Sequence, residues 1–341
     1  MKDKKNTTIW EVAAEAGFSI STVSHVLNDT RHVDTDTRKK VLEAVRKLGY
    51  RPNMLAQGLR GKGTKIIGVL ISDITEDFFA RITKAIESRA NGRGYSVILC
   101  DSEEDSTKES SSLEMLLRKG VEGIIFAPVD MYSTPQILNV CNVPLVQIDR
   151  KYKDFSADYV GIENASVAGE LTSHLLGHGY RKLGFVGYEL AIYTMEQRIA
   201  GFRSAVDKAG RGILASELFL ASRSETKFDD IRAWIKEERD MEAVICGNAN
   251  IANYVLAALQ DLKVKIPENV AIVSFEDTPW YQFIESALTA VLQPTESIGL
   301  EAASLLFDRI DRKSIPNIRE RLLPAQLIIR RSCGNHMEKG S

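Results

Sequence analysis

The sequence predicts an α/β protein in which a small helical head, residues 1–50, precedes a large body, residues 65–336. Three short amphipathic helix patterns fill the head. From Lys65 onward, apolar strand patterns alternate with helix patterns. The strands are continuous apolar runs, which is typical of parallel sheets covered by helices on both faces. At 341 residues the chain exceeds the size of one usual domain, so separate cores are expected.

The head contains the pattern of a helix-turn-helix unit. Thr8 and Glu11 form a capping box that begins the first helix, and Gly17 ends it. Ser19 follows at once as the cap of a second helix. A third helix, opened near Asp34, presents an apolar face toward the first two. Two helices joined by so tight a turn, with a third behind them, predict a helix-turn-helix fold.

The charge of the chain is unevenly distributed. Residues 1–63 hold 12 basic and 7 acidic residues, a net of +5, whereas the whole chain has a net charge of −2. The body is therefore acidic. A small basic head on an acidic body favours a nucleic-acid contact that is confined to the head.

Residues 51–64 form a different kind of segment. Pro52 can start a helix, but Gly58, Gly61 and Gly63 make such a helix marginal, each costing roughly 1 kcal/mol relative to alanine. Two interpretations stay open: a plain linker, or a hinge helix that folds only on DNA.

The body is predicted to form two doubly wound parallel-sheet subdomains in succession, each with about five strands. Ligands in such folds bind beyond the carboxyl ends of the strands, so a cleft between the subdomains is the expected binding site. The predicted strands cover residues 66–72, 96–102, 122–129, 144–150, 159–164, 182–188, 218–221, 242–248 and 270–277.

Several function classes are excluded by motifs that the sequence lacks. No GxGxxG follows a strand, and neither a P-loop nor a GxSxG motif is present, which argues against a nicotinamide-dependent dehydrogenase and other enzymes. Cys100, Cys141, Cys246 and Cys333 are scattered without metal-ligand spacing, so neither a metal nor another cofactor is expected. With no apolar run of membrane length and no secretory signal, the expected location is the cytoplasm.

Several segments of the chain carry a specific family pattern. The strings STVSHVLN, TRKKVLEAV and GYRPNMLAQGL resemble the recognition helix, the third helix and the hinge helix of the lactose/galactose-repressor (LacI/GalR) family. The similarity continues in the family's order through IIGVLISDITEDFF, VPLVQIDR, IVSFED, LTAVLQP and LIIRRS. The resemblance implies a body like a periplasmic sugar-binding protein. It also implies a first subdomain of about residues 65–161 plus 293–320 and a second of about 162–292 plus 321–336.

The resemblance assigns a DNA-reading role to the second helix and the hinge. In the major groove, Ile20, Ser21 and His25 would reach base edges. Many family members carry arginine at the position of His25, whose imidazole cannot make the same two-pronged contact with guanine; a solvated surface role for His25 stays open. At the hinge, Leu59 would wedge into the minor groove. The other implied DNA-binding residues are Ser19, Thr22, Asn28, Asn53 and Ala56.

The resemblance also implies a set of effector-binding residues: Asp73, Phe78, Asp149, Arg150, Arg198, Asn248 and Glu276. Arg198 and Glu276 are the foremost candidates, because a guanidinium fork and a carboxylate suit the hydroxyl groups of a polyol. Asp149 and Arg150 can instead pair with one another. Arg150, Arg198 and Arg223 supply positive charge, which slightly favours a sugar acid over a neutral sugar.

These expectations together define a sequence-specific DNA-binding transcriptional repressor. It would work as a homodimer on palindromic operator DNA, under the control of a small sugar or sugar-acid effector. Two alternatives stay open: a catabolite-control type regulator that docks a phosphorylated carrier protein, and a purine-type co-repressor sensor. The sequence is compatible with an effector that releases the repressor from its operator and with one that tightens operator binding.

Overall fold

The structure is a computed structural model, and it describes residues 7–28, 31–50, 63–189, 191–312 and 316–334. The chain divides into two compact units, residues 1–64 and residues 65–341, each with its own hydrophobic core. Within the described ranges, no helix has both the length and the apolar surface needed to cross a membrane.

The head folds as three helices: α1 (Ile9–Ala16), α2 (Ile20–Asn28) and α3 (Thr35–Leu48). The predicted capping box is present, since the Glu11 backbone N–H donates to Thr8 Oγ1 at 3.4 Å and the Thr8 N–H donates to the Glu11 carboxylate at 2.7 Å. Gly17 ends α1 with a left-handed φ of 73°, which a glycine adopts without strain. The three helices bury a common core of Val12, Ala13, Val23, Val26, Val41 and Ala44.

Six strands form the first sheet of the body: β1 (Ile66–Ile71), β2 (Ser96–Asp101), β3 (Ile124–Phe126), β4 (Leu145–Ile148), β5 (Asp158–Gly161) and β11 (Glu320–Leu322). All are parallel, in the spatial order β11–β5–β4–β3–β1–β2. Successive residues of β1, such as Val69 and Leu70, point into different core clusters, so both faces of the sheet are covered. The surrounding helices are α4 (Asp77–Asn91), α5 (Ser106–Arg118), α6 (Ile137–Val140) and α11 (Thr295–Asp311).

Six further strands form the second sheet: β6 (Lys182–Tyr188), β7 (Leu214–Leu220), β8 (Ala243–Cys246), β9 (Ala271–Ser274), β10 (Thr289–Leu292) and β12 (Gln326–Ile328). Their spatial order is β12–β10–β9–β8–β6–β7, and β12 alone among these strands runs antiparallel to its neighbour. Strand β7 begins four residues before the predicted start at residue 218. It lies at the sheet edge and its first residues are partly exposed, so they lack the apolar run of a buried strand. The helices of this subdomain are α7 (Asn164–Gly177), α8 (Tyr193–Ala209), α9 (Lys227–Glu237) and α10 (Ala249–Asp261).

The chain returns to the first subdomain after β10. There α11 packs so closely on α4 that a Cβ on Gly299 would lie 2.5 Å from the Ile82 carbonyl oxygen, which only glycine avoids. Strand β11 then joins the first sheet and β12 joins the second. The predicted boundary at about residue 320 falls within β11, two residues before the strand ends. That strand has three exposed residues and no apolar run, so the sequence pattern did not reveal it.

Candidate DNA-reading helix and effector cleft

The amino end of α2 carries predicted DNA-reading residues. Ser19 caps the helix, since its Oγ accepts the Thr22 backbone N–H at 3.2 Å. The same oxygen lies 2.7 Å from Ser21 Oγ and 2.9 Å from Thr22 Oγ1. Ser21 is exposed, whereas Ile20 and His25 are half-buried, and Ile20 packs against the core of the head. Hydroxyl groups at an exposed helix N-terminus suit contacts with phosphate oxygens and base edges.

The remaining predicted DNA-binding residues have no described side chains. Asn28 ends α2, but its side chain is not described. Asn53, Ala56 and Leu59 lie outside the described residues. Their DNA-binding roles, and the hinge helix itself, stay predictions.

A cavity of about 370 Å³ lies between the two subdomains of the body. Asp73 follows the end of β1 and Tyr188 ends β6, so the cavity lies at the carboxyl ends of the strands, where doubly wound folds bind ligands. Its volume falls within the range of small-molecule sites, roughly 300–1,000 Å³. The lining comprises Asp73, Thr75, Glu76, Glu104, Tyr188, Ser222, Lys227, Asn250, Asn253 and Tyr254.

Arg150 is held by an ion pair that the sequence did not predict. Its Nη1 and Nη2 donate to the two carboxylate oxygens of Glu104, each at 2.8 Å. Asp149, the partner expected from the sequence, is more distant, with 3.7 Å between its Oδ2 and Arg150 Nε. Burial by itself lowers the pKa of the Arg150 guanidinium, but the adjacent Glu104 carboxylate outweighs it and holds that pKa above its ordinary value. Arg150 is therefore a cation that the protein itself neutralises.

Arg198 is buried in α8 with part of its guanidinium uncommitted. Its Nε donates to Asn164 Oδ1 at 2.9 Å and its Nη1 to the Gly247 carbonyl at 2.7 Å. The guanidinium lies 4.0 Å from the centre of the Phe275 ring, which fixes its plane. Its Nη2 has no acceptor among the residues that the structure describes, so this group can donate to a ligand oxygen.

Two carboxyl groups with raised pKa values lie within electrostatic reach of Arg198. Burial raises the pKa of Asp149, and the charge of Arg198 opposes that shift. Burial also raises the pKa of Glu276 to about 7, against a hydrogen bond that its Oε2 accepts from the Ala249 N–H at 3.1 Å. Asp149 has a left-handed φ of 58°, a conformation that aspartate adopts more readily than most other non-glycine residues. A carboxyl group whose pKa is raised in this way accepts a hydrogen bond from a hydroxyl when ionised and donates one when protonated.

Asn248 connects the two subdomains. Its Nδ2 donates to Glu76 Oε1 at 3.2 Å, and Asn250 Nδ2 donates to the same oxygen at 3.0 Å. Its Oδ1 accepts the Ile251 N–H at 3.0 Å and so caps α10. Burial raises the pKa of the Glu76 carboxyl well above its ordinary value, and the nearby Glu276 carboxyl raises it further.

Two expectations for the effector site are corrected by the structure. Of the seven predicted effector-binding residues, Asp73 alone is among the described residues that line the 370 Å³ cavity. Phe78 is buried edge-on against Phe79 and, with Glu276, borders a separate cavity of about 110 Å³. The expected positive charge is also largely absent, because Arg150 is paired with Glu104 and Arg223 forms an ion pair with Asp105.

Nine of the ten residues that line the cavity were missed by the sequence analysis, among them Glu76, Glu104 and Asn250. Glu104 follows β2 by three residues, so the same strand-end rule that selected Asp73 after β1 would have found it. Glu76 and Asn250 lie at the beginnings of helices α4 and α10, where no strand end marks them.

Together, the head and the body define a DNA-binding regulator with an attached ligand-binding unit. Residues 8–53 match the family described as bacterial regulatory proteins, lacI family, and residues 172–333 match the periplasmic binding protein-like domain. The transcriptional regulator RegA of Clostridium saccharobutylicum is 32% identical over 331 residues, which cover 96% of this chain and 99% of that protein. The repressor PurR of Pasteurella multocida is 32% identical over 334 residues, which cover 95% of this chain and 98% of that protein. The chain therefore belongs to the LacI family of bacterial transcriptional regulators, as its resemblance predicted.

The fold is shared with a solved structure of the Lac repressor dimer bound to operator and the anti-inducer ONPF. The TM-score is 0.85 at 23% identity, with 97% of this chain and 100% of that chain covered. This likeness confirms the predicted fold class. Because the similar proteins are transcriptional regulators and not enzymes, the expectation of a non-enzymatic DNA-binding regulator is confirmed as well.

Proposed function

We propose that the protein is a cytoplasmic, homodimeric transcriptional repressor whose affinity for a palindromic operator is set by a small neutral sugar. The sugar binds in the 370 Å³ cavity and contacts the polar groups around Arg198. The observation that carries this proposal is the lining of the cleft, where Arg150 and Arg223 are held in ion pairs and carboxyl, amide and hydroxyl groups remain to meet a ligand.

The lining of the cavity favours hydroxyl groups over anionic ones. Asp73 and Glu76 place carboxyl groups there beside one ammonium group, Lys227, whereas the charge of Glu104 is already balanced by Arg150. Carboxylates accept hydrogen bonds from hydroxyls but repel a second carboxylate. Two tyrosine rings in the lining supply apolar surface for the C–H face of a sugar. The preference for a sugar acid that the sequence suggested is therefore replaced by a preference for a neutral sugar.

The buried groups around Arg198, which is within electrostatic reach of Glu76 in the cavity lining, supply directional contacts. Arg198 offers its uncommitted Nη2 as a donor, and the Asp149 and Glu276 carboxyls lie within electrostatic reach of it. The Arg198 guanidinium is a donor and the two carboxyl groups are acceptors. This combination suits adjacent hydroxyl groups of a ring sugar, because each hydroxyl donates one hydrogen bond and can also accept one. The protein holds these side chains in place before the ligand arrives. Binding therefore costs little side-chain conformational entropy.

Control of DNA binding follows from the link between the subdomains. The hydrogen bond between Asn248 and Glu76 joins the two subdomains. A ligand that contacts either residue changes the relative stability of the subdomain orientations that are compatible with this hydrogen bond. Such a ligand shifts DNA affinity only if it prefers one arrangement over the other. We propose that residues 51–64 couple ligand binding in the body to DNA binding by the head. The predicted hinge helix in this segment would form on the operator, where Asn53, Ala56 and Leu59 would contact the DNA.

Operator reading requires two copies of the head. A single helix such as α2 reads few base pairs, so a two-fold symmetric dimer on a palindrome provides the specificity. Ser21 and His25 are the proposed base contacts, and Ser19 and Thr22 position the helix on phosphates. Exposed apolar side chains on the body, among them Phe283 at 79% exposure, offer surface for the second copy.

Titration calorimetry with single compounds tests the effector class. Neutral hexoses, pentoses and disaccharides are compared with aldonates and uronates on the wild-type protein. Arg198→Lys should weaken binding of the active sugar about 10- to 100-fold, because lysine lacks the planar fork of donors. Arg203→Lys, on the exposed face of the same helix, should bind as the wild type does. Binding of sugar acids with neutral sugars ignored would refute the proposed effector class.

A further inference from the structure

A cluster of two histidines and one cysteine lies in the second subdomain, away from the effector cleft. His174 and His178 lie at the carboxyl end of α7, and Cys333 lies in the short turn Arg331–Cys333 after β12. Strand β6 begins just after the histidines and ends at Tyr188 in the cleft. Because a strand rises roughly 3.3 Å per residue, about 20 Å separates the cluster from the cleft.

The three side chains are spaced as metal ligands are. The ligand atoms of His174, His178 and Cys333 all lie within 4.8 Å of one another, and His174 Nε2 is 3.2 Å from Cys333 Sγ. In a tetrahedral zinc site, bonds of about 2.0–2.3 Å place neighbouring ligand atoms about 3.3–3.6 Å apart. A small rotation of one imidazole therefore brings all three atoms to bonding distance of a single ion.

Each of these residues is placed by the fold and not by a mobile loop. His174 lies in the last turn of α7, and His178, four residues later, is the C-cap with helical backbone angles, so both lie on one face of the helix. Their rings are 4.8 Å apart between centroids, at an interplanar angle of 69°.

Cys333 is equally well positioned. The neighbouring Ser332 donates from its Oγ to the Ile272 carbonyl at 2.6 Å and accepts the Thr289 N–H at 2.8 Å, which fastens the turn to β9 and β10. Tyr180 Oη also donates to the Cys333 carbonyl at 3.2 Å. Ligands already held in place bind a metal ion with little loss of conformational freedom.

We propose that His174, His178 and Cys333 bind one transition-metal ion of the zinc class. Imidazole nitrogens with a thiolate form a ligand set suited to Zn²⁺ and to its probe Co²⁺, and not to Mg²⁺ or Ca²⁺. Cys333 is fully buried whereas both histidines are partly exposed, so solvent reaches the ion and a water molecule completes its coordination. A bound ion joins the C-terminal turn to α7 and stabilises the second subdomain.

Cobalt titration of the full-length, metal-stripped protein tests this site. One equivalent of Co²⁺ should produce a thiolate-to-cobalt charge-transfer band in the near ultraviolet, together with the strong visible bands of tetrahedral cobalt. Cys333→Ser should lose the charge-transfer band, because the band requires the thiolate, and both Cys333→Ser and His178→Gln should bind the ion more than about tenfold more weakly. Cys141→Ser and His32→Gln, which alter a cysteine and a histidine outside the cluster, should behave as the wild type does.

Two further measurements make the test decisive. Zn²⁺ should raise the Tm of the wild type but not that of Cys333→Ser, since an ion that binds only the folded state stabilises it. His336 lies three residues beyond Cys333 in the sequence, so His336→Ala is included and should keep the band. Absence of the band in the wild type would show that only a thiol–imidazole contact exists. Persistence of the band in Cys333→Ser, or its loss in His336→Ala, would equally contradict a site made by these three residues.

Discussion

Asn248 donates a hydrogen bond of 3.2 Å to Glu76 and thereby joins the second subdomain to the first across the cleft. The same side chain caps α10 through the Ile251 N–H. The orientation of Asn248 is therefore fixed by its own helix before it reaches Glu76. A ligand that displaces or reinforces this contact acts directly on the arrangement of the two subdomains, which is the step we propose for control of DNA binding.

The link at Asn248 can be separated from its helix-capping role. Serine also caps helices well but is too short to reach Glu76, so Asn248→Ser should lose this hydrogen bond and keep the cap, with Asn250 as the remaining donor to Glu76. We expect affinity for the active sugar to fall about five- to tenfold, as for the loss of one hydrogen bond. Calorimetry measures this change. Asn248→Ala should show the same loss and also a free energy of unfolding lower by about 1 kcal/mol, because the cap is lost too. Unchanged sugar affinity in both variants would exclude the link from ligand binding.

The pairing of Arg150 with Glu104 predicts the effector preference of a variant. Glu104→Gln leaves a buried guanidinium without its counter-ion, so the free energy of unfolding should fall by about 3 kcal/mol. An anionic sugar such as gluconate can then replace the missing charge, and calorimetry should detect gluconate binding that the wild type lacks.

The neighbouring residue provides the control for this prediction. Glu103 pairs with Lys108, and its side chain is 63% exposed. Glu103→Gln should therefore change stability by less than about 1 kcal/mol and leave effector preference unaltered. Equal gluconate binding by the wild type and Glu104→Gln would mean that Arg150 is available to ligands in spite of its ion pair.

The stability of the protein should depend on pH through Glu109. This residue is fully buried in α5, and burial raises the pKa of its carboxyl from 4.5 to about 7, against a hydrogen bond accepted from the Val129 N–H. Between these two pKa values the folded state binds more protons than the unfolded state, so stability must fall as pH rises through this range. The loss attributable to Glu109 is on the order of 2 to 3 kcal/mol.

Replacement of Glu109 by glutamine isolates this contribution. Glu109→Gln keeps the shape of the protonated side chain, so denaturant unfolding at pH 5 and pH 8 should show a smaller difference than in the wild type. Glu276, whose pKa is also raised to about 7 by burial, accounts for part of the slope that remains. Glu114→Gln, on the exposed face of the same helix, should retain the wild-type difference. A slope unchanged by Glu109→Gln would place the titrating group elsewhere.

The features that the sequence predicted best depend on neighbours along the chain. The capping box of Thr8 and Glu11 spans one helical turn, and Asp73 and Asn248 each lie two residues after the end of a buried strand. Such patterns appear in the order of residues, because the interacting groups are close in the chain.

The features that the sequence did not predict depend on the folded arrangement. Glu104 lies 46 residues before Arg150, whereas Asp149 is adjacent to it, so the sequence suggested the wrong main partner. The prediction of a positively charged cleft was wrong for the same reason. Arginines can be counted in a sequence, but the carboxylates that pair with them in the fold cannot be identified there. The exposed strand β11 shows a second limit, because a strand with no apolar face has no periodic pattern.

The proposed hinge contact at Leu59 separates DNA binding from sugar binding. An apolar wedge in the minor groove stabilises a kinked operator, so Leu59→Ala should weaken operator binding about tenfold or more. Its affinity for the active sugar should stay at the wild-type value, because the sugar binds in the body. Electrophoretic mobility shifts and calorimetry on the same preparation measure the two quantities. Operator affinity equal to that of the wild type would contradict the wedge.

Fluorescence anisotropy of a labelled operator tests the central claim most directly. Palindromic duplexes from the region upstream of the protein's own gene are titrated with the protein, at fixed salt, and then with neutral sugars, sugar acids and purines. We predict tight binding to one palindrome and much weaker binding to a scrambled duplex, with a neutral sugar changing the operator affinity. Failure to distinguish the palindrome from the scrambled duplex, or operator affinity that responds only to purines or sugar acids, would contradict it.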